Sequence, residues 1–470
     1  MYSRYIILLL GVFLFSIFPD QSYSQSGEYF IIDQIHLEGN RRTNRLVIFN
    51  ELDVLPGDTV YWSSINDVFK RNKERLYSTA LFTDVKINIK NWSTEDKYAD
   101  LLIEMQENWY IYPSLIFELA DRNFSVWWVD QMRDFSRVNY GVGLDHINLT
   151  GNKDKLNFKF QRGYTHKYEL KYNYPYISKR WGLYGEVFFS NQKEVNYLTS
   201  ENKTIFYKAE DERKLLNRFR TAFGVNFRQD VKTFHQARLT YFHNTTDPLV
   251  IEELNNDFFQ ASSTKLNYLS LSYDFNYDNR IFTFYPLGGY QWFLNLTKDG
   301  FGIGNYNNLS IAGGFEWHHS FSDKWIYGTR IKGKTSILRE NIPYYVNRAL
   351  GYGNDVVRGY ELYVVDGTDY GLIKNSLRYN LLDKDYQLGE YMLLEELKKL
   401  NIRVYGRLNF DLGIVNEVNY EVNNELSNRL LYGGGPALDF LFYHTYLFSI
   451  EYSINHLGEG GLFLKGNFNF

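Results

Sequence analysis

Gly351-Tyr352-Gly353-Asn354-Asp355-Val356-Val357-Arg358-Gly359-Tyr360 lies between two strand-like segments and is too rich in glycine to be strand or helix itself. An arginine followed by glycine predicts a loop tip that comes close to another surface, its planar guanidinium fork seeking a carboxylate. A partner is present downstream. Between Arg403 and Gly413 the sequence alternates, with Val404, Leu408, Phe410 and Leu412 on one face and Arg403, Tyr405, Arg407, Asn409 and Asp411 on the other. Asp411 thus stands on the polar side of a strand whose opposite side is apolar.

The same alternation runs through most of the chain. Leu156, Phe158 and Phe160 oppose Lys155, Asn157, Lys159 and Gln161, while Tyr168, Leu170, Tyr172 and Tyr174 oppose Glu169, Lys171 and Asn173. Similar segments occur at Tyr110–Leu119, Tyr140–Ile147, Trp181–Ser190, Phe219–Phe227, Ala237–Phe242, Ala312–Phe315, Trp325–Lys334, Gly371–Leu381, Gly433–Tyr443, Tyr446–Ile454 and Gly461–Phe470. In Trp325–Lys334 the cations Arg330, Lys332 and Lys334 share one face, which demands water or acidic partners. Composition agrees with strands that are apolar on one side and polar on the other. Of 470 residues 18% are aromatic (41 Tyr, 36 Phe and 9 Trp), yet the mean hydropathy is only −0.40. Those values suit a transmembrane barrel of about 16 antiparallel strands with aromatic girdles, and exclude a bundle of membrane helices. A net charge of −4 excludes a basic nucleic-acid binder, and the absence of cysteine excludes disulfides and thiol chemistry.

Ahead of this region, residues 25–108 read as a small α+β domain. Tyr29–Leu37 is a strand ended by Glu38-Gly39-Asn40, and Leu46–Leu52 a short helix closed by Pro56-Gly57-Asp58. Ser64 is placed to cap a second helix carrying Ile65, Phe69, Asn72 and Leu76 at helical spacing, with Asp67 in its first turn. Two strands close the unit, through Val85, Ile87, Ile89 and through Leu101, Ile103, Met105. Residues 1–24 carry the marks of a secretory signal peptide: Arg4, a short apolar run from Tyr5 to Phe18, and Ser22-Tyr23-Ser24 before a cleavage site at Gln25.

Val357-Arg358-Gly359-Tyr360, Phe410-Asp411-Leu412-Gly413 and a terminal Phe470 together resemble the BamA/TamA superfamily of outer-membrane proteins (the bacterial surface antigen family). The resemblance implies that a long surface loop folds back into the barrel, with Arg358 on Asp411, Gly359 allowing the approach and Tyr360 packed on the wall. In a hydrated lumen such a pair contributes about 1 kcal/mol or less. Tyr277-Asp278-Asn279-Arg280 followed by Pro286-Leu287-Gly288-Gly289 is similar to the family's Asp-x-Arg…Pro-x-x-Gly turn, marking Asp278, Arg280, Pro286 and Gly289 as a structural motif without chemistry. Asn148-Leu149-Thr150-Gly151 matches the family's Asn-Leu-aromatic-Gly turn in part, since Thr150 replaces the aromatic. Phe468 and Phe470 resemble the C-terminal signal by which such barrels are recognised and inserted. The first domain, with Leu37-Glu38-Gly39-Asn40 and Leu81-Phe82-Thr83-Asp84-Val85, looks like one POTRA module.

The implied location is the bacterial outer membrane, with the first domain in the periplasm. The implied role is assembly, insertion or translocation of client proteins through a seam between the first and last barrel strands, with outer-membrane lipids as surroundings and periplasmic or lipoprotein accessory factors as partners. A single module argues against the central assembly machine, and against the two-partner secretion branch with its two modules and plug helix. A passive pore or solute transporter and a surface-exposed binding or tethering protein are the alternatives. The sequence carries no His-Glu-x-x-His, Walker or Gly-x-Ser-x-Gly pattern, so neither enzyme activity nor a cofactor is expected. His318-His319 point to opposite faces of a strand, and Gly433-Gly434-Gly435 predicts a backbone bend or a close backbone approach.

Overall fold

The computed structural model describes residues 28–468, except 122–123, 125, 179, 212, 261, 305, 339–341, 390–391, 393–397 and 418–422. The signal-peptide reading and Phe470 therefore lie outside the described residues.

Residues 29–107 fold around a four-stranded sheet of β1 (Tyr29–Glu38), β2 (Thr59–Tyr61), β3 (Phe82–Ser93) and β4 (Tyr98–Glu107), in the order β2-β1-β4-β3. Helices α1 (Arg45–Phe49) and α2 (Ile65–Ser78) cover it. The sheet turns Phe30, Ile32, Val85, Leu101 and Ile103 inward, while the helices contribute Val47, Ile48 and Leu76, all at most 1% exposed. Two details differ from the sequence reading. The short strand β2 carries no periodic signal because it has only three residues. Ser64 does not cap α2; its hydroxyl donates to the Tyr61 carbonyl at 3.1 Å.

Among the described residues the remainder forms an antiparallel sheet of 16 strands and a separate two-stranded hairpin. In chain order these are β5 (Ile111–Leu119), β6 (Val138–His146), β7 (Lys155–Gly163), β8 (Thr165–Tyr174) and β9 (Trp181–Gln192). A separate hairpin follows, formed by β10 (Glu194–Ser200) and β11 (Lys203–Lys208), before the sheet resumes with β12 (Leu216–Arg228) and β13 (Thr233–Thr246). Next come β14 (Lys265–Asp278), β15 (Gly289–Gly300), β16 (Asn308–Ser320), β17 (Trp325–Leu338) and β18 (Asp369–Gln387). The series ends with β19 (Lys399–Asn416), β20 (Leu430–Phe442), β21 (Tyr446–Asn455) and β22 (Gly460–Phe468). Apart from β9 and β12, which pair across the excursion of the β10–β11 hairpin, each strand pairs with its sequence neighbours. Long strands joined by turns at one end and longer loops at the other leave the period-2 pattern to decide which side chains point in. On β19, Leu408 and Phe410 point outward at 58% and 50% exposure, while Tyr405, Asn409 and Asp411 are buried inside. Such a face of exposed aromatic and aliphatic groups around the whole sheet suits lipid, not water.

The first domain lies against the short turns at one end of the sheet. Its core includes barrel residues Tyr110, Ile147 and Tyr176. Gly151, at φ +85, is needed there, since a Cβ would sit 2.4 Å from the Arg42 carbonyl oxygen. At the far end the β10–β11 tip crosses the loops: Val364 donates to the Asn202 carbonyl at 2.8 Å, and Leu426 donates to its side chain at 3.0 Å.

Candidate functional site

The loop between β17 and β18 returns into the barrel and brings its tip against β19, β20 and β21. Arg358 Nη1 donates to Asp411 at 2.6 Å, and its backbone N–H donates to the same carboxylate at 3.2 Å. Its Nε donates to Glu451 at 3.3 Å, so one guanidinium joins carboxylates on β19 and β21. Gly359 makes this possible. It adopts φ +88, and a Cβ there would meet the Asn455 backbone nitrogen at 2.7 Å. The triple glycine on the wall supplies the matching space, because a Cβ on Gly433 would stand 2.1 Å from the Arg358 carbonyl oxygen. Tyr360 is buried against Tyr363 and His456 and bonds to the His456 ring.

Asp411 and Glu451 side chains are both 0% exposed and that of Arg358 is 12% exposed. The expected hydrated pair is therefore a dry one, because the loop tip itself excludes water from the wall. Dry carboxylates need more than one cation, and the interior supplies them. Lys374 Nζ is 3.8 Å from Asp411, while Lys465 on β22 reaches both Glu451 and Glu361 at 3.3 Å. Arg407 joins Glu451 at 3.3 Å to Asp439 at 2.7 Å. Two cations of β17 are also paired: Lys332 contacts Asp355 of the returning loop at 2.6 Å, and Arg330 lies 3.8 Å from Glu316.

The Asp278–Gly289 turn also enters the interior, from the opposite end. Arg280 bonds Asp278 at 2.7 Å and Glu316 at 3.0 Å, which folds the turn back on itself. Gly289, at φ +87, allows this return, since a Cβ there would sit 2.1 Å from the Asn279 carbonyl oxygen. The Pro286 carbonyl accepts from Arg378, and Phe282 and Tyr285 are buried. Tyr285 donates to Asp439 at 2.7 Å. A continuous polar chain therefore runs from Arg358 through Glu451, Arg407 and Asp439 to Tyr285. In sequence, Glu451, Asp439 and Tyr285 each look like any other inward strand or turn position. Phe468 ends β22 opposite Tyr446.

His318 is bonded to Glu316 at 2.7 Å and to Arg378 at 2.9 Å, whereas His319 stacks on Trp317. No cluster of metal-ligating side chains occurs among the described residues.

The first domain meets the turns through two further groups. Glu51, just past α1, accepts two bonds from Arg228 at 2.8 and 3.0 Å and one from Lys153 at 2.8 Å. Burial alone would raise its pKa, but the two cations outweigh it and hold the carboxyl well below the usual range. On the other side, the His444 ring stacks on Tyr77 of α2 at 5.0 Å and meets Phe282 edge-on at 5.8 Å. Burial, reinforced by the Arg403 cation, pushes its pKa down to about 3. An imidazole freed from this stack regains a pKa of about 6.5. Docking is therefore at full strength above about 6.5 and weakens progressively as the pH falls towards 3, by about 2 kcal/mol at pH 5. Inter-domain distances from spin labels at Glu95→Cys and Asp323→Cys are expected to broaden between pH 8 and pH 5. In a His444→Phe background, which keeps the stack, they should stay narrow over the same range.

Comparison with solved structures identifies this architecture. BamA from Haemophilus ducreyi lacking POTRA domains 1–3 aligns over 93% of this chain and 84% of its own, at TM-score 0.52 and 15% identity. CdiB from Escherichia coli aligns over 96% and 93%, at TM-score 0.54 and 12% identity. The chain has the fold of BamA and CdiB. CdiB from Acinetobacter baumannii agrees, covering 94% of this chain and 74% of its own at TM-score 0.50 and 12% identity. No family model and no curated protein matches the sequence. The fold is thus shared with BamA and CdiB at 12–15% sequence identity.

Proposed function

We propose that this chain is a member of the BamA/TamA superfamily that assists insertion or translocation of client proteins at the bacterial outer membrane. In this reading the POTRA-like domain lies in the periplasm, where accessory factors and unfolded clients reach it. The observation that carries the reading is the loop tip, Arg358-Gly359-Tyr360, clamped on Asp411 and Glu451 beside the last strands. The order of the sheet supports it too. The sheet runs from β5 to β22, and no ladder joins those two strands among the described residues. Pro113 sits in β5, a residue suited to an edge because it lacks an N–H to donate. A client strand would pair with this edge and leave into lipid once its own apolar face is covered, a process that needs no nucleotide.

A steady open pore is disfavoured by the occupied interior, with one loop entering from each end and the first domain across the turns. The test is insertion of a denatured small barrel into liposomes containing the mature chain, with ionic conductance recorded in parallel. Faster client folding without steady conductance is expected. Steady conductance with no acceleration would replace this reading with that of a pore.

A further inference from the structure

We propose that Phe124 and the Val126–Arg137 segment of the loop between β5 and β6 form a membrane-interface anchor whose apolar side enters the headgroup–acyl boundary of the outer leaflet beside the seam. The inference rests on the reading of the barrel as membrane-spanning. The loop is amphipathic in space, with Asp121, Asp130 and Arg137 turned inward and paired. Asp130 meets Lys203 of β11 at 2.9 Å, and Arg137, 3% exposed, meets Asp121 at 2.7 Å and bonds Glu194 of β10. Those contacts fix one side against the cap formed by the β10–β11 hairpin.

The other side is apolar and uncovered. Met132 is 87% exposed, Phe135 73%, Val129 56% and Trp128 45%. Phe124, Trp127, Trp128 and Phe135 pack into one aromatic cluster with ring centroids 5.4–6.1 Å apart, so the face is rigid and does not collapse onto itself. Isolated exposed apolar residues need no explanation, but a contiguous, pre-formed patch does.

Continuity with the lipid-facing wall identifies the occupant. Leu115 and Phe117 of β5 are 88% and 73% exposed, and Phe117 pairs with the exposed Tyr140 on β6. The β5–β6 pairing extends one step beyond the strands, through Ala120 N–H on the Arg137 carbonyl at 2.7 Å. Phe117 to Ala120 is only about 10 Å of strand, so the cluster begins where the wall's apolar band ends. Arg133 lies 4.2 Å over the Trp128 ring. A guanidinium above an indole suits this depth, since the ring settles at the interface and the cation reaches a lipid phosphate.

The chain contains no cysteine, so Met132→Cys offers a single labelling site. An environment-sensitive fluorophore would be placed there, and in separate samples at Phe117→Cys and Glu95→Cys. Each protein would go into phosphatidylcholine nanodiscs with or without lipid carrying a nitroxide near its headgroup, and iodide would serve as the aqueous quencher. The expected result is lipid quenching at Met132 comparable to that at Phe117, with iodide reaching only Glu95. Iodide quenching at Met132 alongside lipid quenching at Phe117 would overturn the proposal and leave the membrane reading intact. Protection of Met132 from both quenchers would show a protein-covered face and overturn it as well. Loss of lipid quenching at Phe117 would remove the membrane reading and this inference with it.

Discussion

Arg358→Ala is expected to release the loop tip from the barrel wall, costing about 3–5 kcal/mol, because two buried carboxylates lose their shared cation. As a charged partner Asp411 would keep only Lys374 at 3.8 Å, beyond hydrogen-bond range. Glu451 is better protected, since Arg407 and Lys465 remain. Asp411 is therefore where most of the penalty falls, and Asp411→Asn should recover part of the loss when combined with Arg358→Ala. Coupling of about 1–3 kcal/mol in that double-mutant cycle is expected for groups in one network. Arg358→Lys keeps the charge but not the fork, so it cannot reach β19 and β21 together with the same geometry. It should fall between wild type and alanine. The readout is chymotrypsin cleavage at Tyr360, which is 3% exposed in the wild type. The alanine variant should be cut there in intact reconstituted membranes, and should fold a denatured client more slowly. Resistance to cleavage equal to wild type would mean that Tyr360 and the glycines hold the tip without the arginine.

Much of this arrangement is written locally and can be read without coordinates. A period of two assigns Asp411 to the inside of β19 and Leu408 and Phe410 to the outside. Arg358-Gly359 marks a tip because only a residue without a side chain can take φ +88 against the Asn455 backbone. Gly433 complements it for the same steric reason. Other features leave no local trace. The three-residue β2 is too short for a period, and β15 runs Trp292-Phe293-Leu294, which blurs alternation because both of its faces are apolar there. The Phe293 ring turns inward and meets the Arg330 guanidinium at 5.5 Å. Partner choice is the least legible element. Arg358 finds Glu451 93 residues away, and Tyr285 finds Asp439 across 154. An inward carboxylate on a barrel strand reads identically whether it faces water or a buried guanidinium. The dryness of the Arg358 site arises from how deeply the loop returns, which depends on the whole wall.

Glu51→Ala is expected to undock the first domain from the barrel turns while leaving that domain folded. Within its own domain Glu51 is held by its backbone carbonyl, which accepts from Arg75 at 3.0 Å, so loss of the side chain opens no core cavity. Across the interface the loss is severe. Arg228 and Lys153 would be left as neighbouring half-buried cations, with Tyr176 and the Val231 carbonyl as neutral company. Leaving these half-buried charges unpaired costs about 1–3 kcal/mol, enough to shift a docked population to a mixed one. The spin-label pair at Glu95→Cys and Asp323→Cys should change from one narrow distance to a broad distribution at neutral pH. Glu51→Gln, which keeps the shape but not the charge, should do nearly the same. Removing the cation as well, in Glu51→Gln with Arg228→Met, should restore much of the narrow component, because no unpaired guanidinium then remains. Undocking also removes Tyr77 from His444, so the acid sensitivity of docking should vanish in Glu51→Ala. A narrow distance in Glu51→Ala at neutral pH would place the strength of the joint in the Tyr77–His444–Phe282 stack instead of the ion cluster. If docking gates client entry, the same variant should change the rate of client folding in liposomes without altering heat resistance of the barrel. Those two readouts separate a mobile doorway from a rigid spacer.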